Sequence, residues 1–187
     1  MKKGLILVLA MVIAVCIGVG STLAYLFVET TPVENTFEYG DINITLDETK
    51  DLDLKMIPGN TIRKDPIVTV LEDSEACLLF VEIDESANFD DFMTYEIAEG
   101  WIKGNGTDIP ANVYYREVAA TEANAEFAVL KDNQVLVNAT VLKTELNALT
   151  EATMPTLIFT AYAVQKDNVS SAVDAWKLVG TKGANNH

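Results

Sequence analysis

The sequence predicts a mainly β protein, a sandwich or jelly roll with a few short helices, carried behind an N-terminal signal helix. Three observations predict it. About eight short runs show period-two alternation or β-branched enrichment. Turn-forming residues separate the runs, and the helical patches are too few and too short to cover a parallel sheet.

The chain of 187 residues begins with an export signal. Lys2 and Lys3 form a positive start, and the 13 residues from Leu5 to Ile17 are all apolar, which is short for a membrane span of about 20. Gly18 and Gly20 break the helix, and Thr22-Leu23-Ala24 offers the small side chains a signal peptidase accepts. Residues 1–24 are therefore read as the signal peptide, with the cut between Ala24 and Tyr25. The other reading is an uncleaved anchor running through Val28, which the two glycines and Ser21-Thr22 interrupt. A lipoprotein cut before Cys16 is weaker, because Val15 stands where Gly, Ala or Ser is needed.

The elements of the body follow in order. Ile42, Ile44 and Leu46 alternate with polar residues as a half-buried strand, and Leu52, Leu54 and Met56 repeat the pattern before a Pro58-Gly59 turn. Ile67 to Leu71 is β-branched and follows Pro66, which suits a strand start or an edge. Cys77 to Ile83 is apolar nearly throughout and predicts a central strand covered on both faces. Phe89, Phe92 and Met93 share one face of a helical turn that Asn88 can cap. Gly104-Asn105-Gly106 reads as a turn after Trp101-Ile102, ahead of a strand at Val113 to Val118. Phe127 to Leu130 and Val135 to Ala139 form two strands of a hairpin closed by Lys131 to Gln134. Thr144 to Leu149 is a short helix, and Thr156 to Val164 is the last long strand. Ser171, with Asp174 three residues on, starts a helix with Ala172, Ala175, Trp176 and Val179 on one side.

Charge and composition exclude several functions. Thirteen Lys plus Arg against 28 Asp plus Glu give a formal charge of −15, opposite to what phosphate contacts or a polybasic membrane face require. Loss of Lys2 and Lys3 with the signal takes the mature chain to −17. The single histidine, His187, stands at the C-terminus, and no His-Glu-x-x-His, Gly-x-Ser-x-Gly or phosphate-binding glycine loop occurs. Cys77, the one cysteine of the mature chain, reads as a small buried hydrophobe. Trp176 and Tyr162 read as core. The sequons at Asn43, Asn105, Asn138 and Asn168 would matter only in a eukaryotic secretory pathway. Two acidic groups, Asp47, Glu48, Asp51 and Asp53, and then Asp84, Glu85, Asp90 and Asp91, are the calcium candidates. Neither follows the Asp-x-Asp-x-Asp-Gly loop, and solvated acidic loops are the commoner case.

Four stretches together carry a resemblance. They are Gly20-Ser21-Thr22-Leu23-Ala24-Tyr25-Leu26, then Asn35 to Ile44 with Phe37 and Gly40 ahead of the alternation, then Pro58-Gly59 followed by Lys64-Asp65, then Thr160 to Gln165 with Ala175-Trp176 downstream. In this order and spacing the chain resembles the TasA-type biofilm fibre proteins and camelysin, which Gram-positive bacteria secrete and a SipW-type signal peptidase processes. Ser21 departs from the second Gly usual in that family. The resemblance implies a jelly-roll-like antiparallel β-sandwich that polymerises, the freed N-terminus serving as donor strand to the next subunit. On that reading residues 25–34 are the donor arm, with Tyr25, Leu26, Phe27 and Val28 as its β-prone apolar part, and residues 35–187 are the sandwich domain. Thr30-Thr31-Pro32 would be a hinge, and an extended arm of ten residues reaches about 33 Å. The implied partners are the chain itself, the SipW-type peptidase and other matrix proteins or polysaccharide, and the implied place is the extracellular matrix or cell surface. The alternatives are that Tyr25 to Val28 folds back on its own domain, and that the protein is a monomeric surface adhesin or carbohydrate-binding module. A camelysin-type metallo-endopeptidase is a further alternative, for which the zinc ligands are missing.

Overall fold

A computed structural model of the chain describes residues 41–49, 55–167 and 169–183, the last three as backbone alone. The signal, the Ala24–Tyr25 cut and the arm Tyr25, Leu26, Phe27 and Val28 lie outside the described residues, as do Asp51 and Asp53.

The described chain is mainly β, with every strand pair antiparallel. Strands β1 (Ile44–Asp47), β3 (Ile67–Val70) and β8 (Ala125–Ala128) form one sheet in the order β1-β3-β8. Strands β4 (Cys77–Glu85), β6 (Ile102–Lys103), β7 (Val113–Val118) and β10 (Leu157–Gln165) form a second, ordered β10-β4-β7-β6. The third sheet is β2-β9-β5, built from β2 (Thr61–Arg63), β5 (Met93–Thr94) and β9 (Gln134–Val137). The helices are α1 (Phe89–Phe92), α2 (Lys143–Ala148) and α3 (Ala172–Gly183).

The alternation along β4 explains the layering. Cys77, Leu79, Val81 and Ile83 face Val68 and Val70 of β3 in one core, while Leu78 and Phe80 face the opposite way, toward Ala175 and Trp176 of α3. Phe80 lies 5.3 Å from the Trp176 ring, and Tyr162 meets Trp176 edge-on at 5.8 Å. The sheet is therefore apolar on both faces, with a second sheet over one and a helix over the other, as Cys77 to Ile83 predicted. A third core, around Ile62, Phe89, Met93, Leu130 and Val137, sits under the small sheet.

Ser171 starts α3 as expected: its hydroxyl accepts from the Asp174 amide at 3.2 Å and donates to the Asp174 carboxylate at 2.8 Å. Gly59 takes a left-handed φ of 81° in the Pro58-Gly59 turn. Gly104 stands so close to the Pro110 carbonyl that a Cβ there would lie 2.2 Å from it.

Four expectations are corrected. Phe127–Leu130 and Val135–Ala139 are not a hairpin: β8 belongs to the first sheet and β9 to the third. Between them Lys131–Asn133 is a 3-10 turn in which Asp132 and Asn133 take left-handed φ of 55° and 53°, turning the chain from one sheet into the other. The first of these strands is also displaced, to Ala125–Ala128. Asn88 does not cap α1: its side chain accepts from Ser86 Oγ and donates to the Thr153 carbonyl instead. Met56 lies in no strand, and Leu52 and Leu54 fall outside the described residues.

Candidate functional site at an open sheet edge

Strand β10 has nine residues, Leu-Ile-Phe-Thr-Ala-Tyr-Ala-Val-Gln, and pairs with β4 along its whole length. Among the described residues no strand pairs with its other side. The ladder with β4 begins where the Ser86 amide donates to the Thr156 carbonyl and ends where the Lys166 amide donates to that of Ala76. Antiparallel alternation then turns the N–H and C=O groups of Leu157, Phe159, Ala161, Ala163 and Gln165 toward the open side. Burial shows the same asymmetry. Central strand β4 is buried from Cys77 to Val81, whereas no residue of the equally apolar β10 is fully buried and Ile158 is 57% exposed.

At the Leu157 end the edge opens into an apolar groove of about 470 Å³ walled by Met56, Ile62, Phe89, Met93, Val135 and Met154. A second hollow of about 300 Å³, between Leu46 and Pro66 on one side and Phe159 on the other, continues it; Lys64, Leu157 and Ile158 line both. At the far end of the edge the Asp41 carbonyl accepts from the Glu75 amide at 3.0 Å, one residue before Ala76 meets Lys166.

The groove's rim is held by polar contacts. Lys64 Nζ lies 2.7 Å from both carboxylate oxygens of Glu48 and 5.6 Å above the Phe159 ring. Next to it Asp65 is buried and accepts from the Thr49 hydroxyl at 2.6 Å, the Thr49 amide at 3.1 Å and Arg63 Nη2 at 2.8 Å. The Thr49 hydroxyl, then its amide and Arg63, hold the Asp65 carboxyl below the usual carboxylate range despite its burial. These contacts tie the end of β1 to the β2–β3 connection beside the second hollow.

The acidic candidates are scattered. Glu48 is engaged by Lys64, Asp47 ends β1, and Asp51 and Asp53 lie outside the described residues. Asp84 accepts from Asn112 at 3.2 Å and Glu85 from the Tyr95 hydroxyl, while Asp90 and Asp91 open α1. Among the described residues no three His, Cys, Asp or Glu side chains gather as metal ligands. Cys77 is fully buried, and desolvation pushes its thiol up to about 11. Of the sequons, Asn105 accepts from the amides of Thr107, Asp108 and Ile109 and so shapes its loop. Asn138 donates to the carbonyls of Asp90 and Asp91.

The groove residues Met56, Met93, Met154 and Ile158 carry no motif. The one signal for them is β10 itself, apolar at both odd and even positions like a central strand, yet last in the sheet. No family model matches the chain, and neither a curated protein nor a solved structure is significantly similar to it.

Proposed function

We infer that the chain is an exported structural subunit that polymerises head-to-tail into extracellular-matrix or cell-surface fibres, its mature N-terminal arm completing the sheet of the next copy. The observation that carries this reading is the apolar edge of β10, unpaired among the described residues, with five residues whose backbone groups face away from β4. An unpaired edge of this kind accepts a further strand by main-chain hydrogen bonding, and pockets beside it choose the side chains. The lengths agree. Nine residues of β10 span about 30 Å and the ten of residues 25–34 about 33 Å when extended.

The arm's alternation suits the site as well. Tyr25 and Phe27 would fall on one face of the added strand and Leu26 and Val28 on the other, and both faces of β10 are apolar. A contact between a terminus and a distant edge is heterologous and runs on as a filament rather than closing. Cleavage after Ala24 by a SipW-type peptidase frees the arm and so sets when assembly starts.

Electron microscopy of protein beginning at Tyr25, beside protein beginning at Asn35, tests the reading. Filaments from the first and none from the second are expected. Filaments from both would remove the arm's role, and dispersed monomers from both would leave a surface binding module as the better account.

A further inference from the structure

Outside the signal, the sequence contains three methionines, Met56, Met93 and Met154, and all three line the one groove at the Leu157 end of β10. They reach it from separate parts of the chain: Met56 just ahead of the Pro58-Gly59 turn, Met93 from β5, and Met154 from beyond the 3-10 turn Glu151–Thr153. Neither of the other two cores contains a methionine. Their exposure is graded, with Met154 47% exposed, Met56 intermediate and Met93 8% exposed.

We propose that Met154, with Met56 behind it, is an oxidation site whose sulfoxide closes the groove to apolar chain. The thioether is apolar and adaptable, which suits a wall that receives side chains of another segment. Hydrogen peroxide transfers one oxygen atom to the sulfur. The O–O bond breaks, the sulfur is oxidised by two electrons and the peroxide leaves as water. The product is a polar, chiral sulfoxide. Placed at the mouth of a groove walled by Ile62, Phe89 and Val135, it introduces an S=O dipole with water as its natural partner, and an incoming apolar strand would have to strip that water. Susceptibility follows exposure, so Met154 reacts first and Met93 last. The effect on assembly rests on the donor-strand reading above; the oxidation order and the change in the groove do not.

The test treats the protein beginning at Tyr25 with dilute hydrogen peroxide and maps sulfoxides by mass spectrometry against time. Sedimentable filament and fluorescence of the neutral dye Nile red are followed alongside. Met154 is expected to oxidise at least tenfold faster than Met93, with severalfold losses of both filament and dye signal. The double variant Met56→Leu, Met154→Leu, whose groove wall has no sulfur left to oxidise at these two positions, is expected to lose little of its own untreated filament and dye signal under the same treatment. Equal rates at Met93 and Met154, undiminished signals in the oxidised protein, or equal losses in the double variant would each overturn the proposal. If untreated protein forms no filament, the donor-strand reading falls, and the dye signal and sulfoxide order alone decide the proposal.

Discussion

Asp65 shows how one side chain secures the site. It is buried, and it accepts hydrogen bonds from Thr49 and Arg63. Its folded carboxyl sits below the ordinary value of about 4, so the stability it contributes is present above that value and is lost as pH falls through the folded one. Replacing it with Asn is expected to lower unfolding free energy by about 2 kcal/mol at pH 7, with the difference from wild type shrinking below pH 4; urea titrations at the two pH values measure both. Cys77 gives a second expectation at this scale. With full burial and a thiol at about 11, it should resist alkylation at pH 7.5 in the native state and react fully in denaturant. Native-state labelling at the rate of a free thiol would mean that β4 opens far more readily than its nine pairs with β10 suggest.

At the scale of elements, β10 can be tested by choosing which N–H to remove. Ala161 turns its N–H to the open side and Tyr162 turns its own to β4. Ala161→Pro should leave a folded domain, since edge strands tolerate proline on the outward side, yet abolish strand addition. Tyr162→Pro should unfold it by breaking the ladder. Circular dichroism and filament sedimentation separate the two outcomes. An Ala161→Pro protein that still builds normal filaments would exclude β10 as the acceptor.

The long strands of this architecture were legible in the sequence because each leaves a long, mostly apolar run, buried on both faces at Cys77 to Ile83 and half-buried at Thr156 to Val164. The two-residue strands β5 and β6 and the three-residue β2 were not legible, since so few residues carry no period. The hairpin between β8 and β9 was misread because Lys131-Asp132-Asn133-Gln134 has turn chemistry either way. Only tertiary packing decides whether such a turn returns to the same sheet. The groove escaped notice for a related reason: Met56, Met93 and Met154 are spread over nearly 100 residues of the chain and meet only in the fold.

For the whole molecule, charge governs association. Protein beginning at Tyr25 carries a formal −17 and repels its own copies, and salt screens that repulsion from a range of about 30 Å at 0.01 M to about 8 Å at 0.15 M. Filament growth from protein beginning at Tyr25 should therefore speed up severalfold across that range, as light scattering would record. Slower growth in salt would mean that ion pairs rather than apolar contacts hold the joint.

The two ends of β10 acquire a mechanical meaning in such a filament. Asp41, the described residue nearest the arm in sequence, lies beside the Lys166 end, while the groove lies at the Leu157 end. Tension passed from copy to copy would thus run along β10 rather than across it. Antiparallel ladder bonds lie perpendicular to the strands, so a pull along the strand loads the nine residue pairs with β4 together instead of peeling them apart one by one. The longest ladder among the described residues would then act as a shear clamp, and a fibre of these subunits would resist stretching far better than it resists being unzipped from the side.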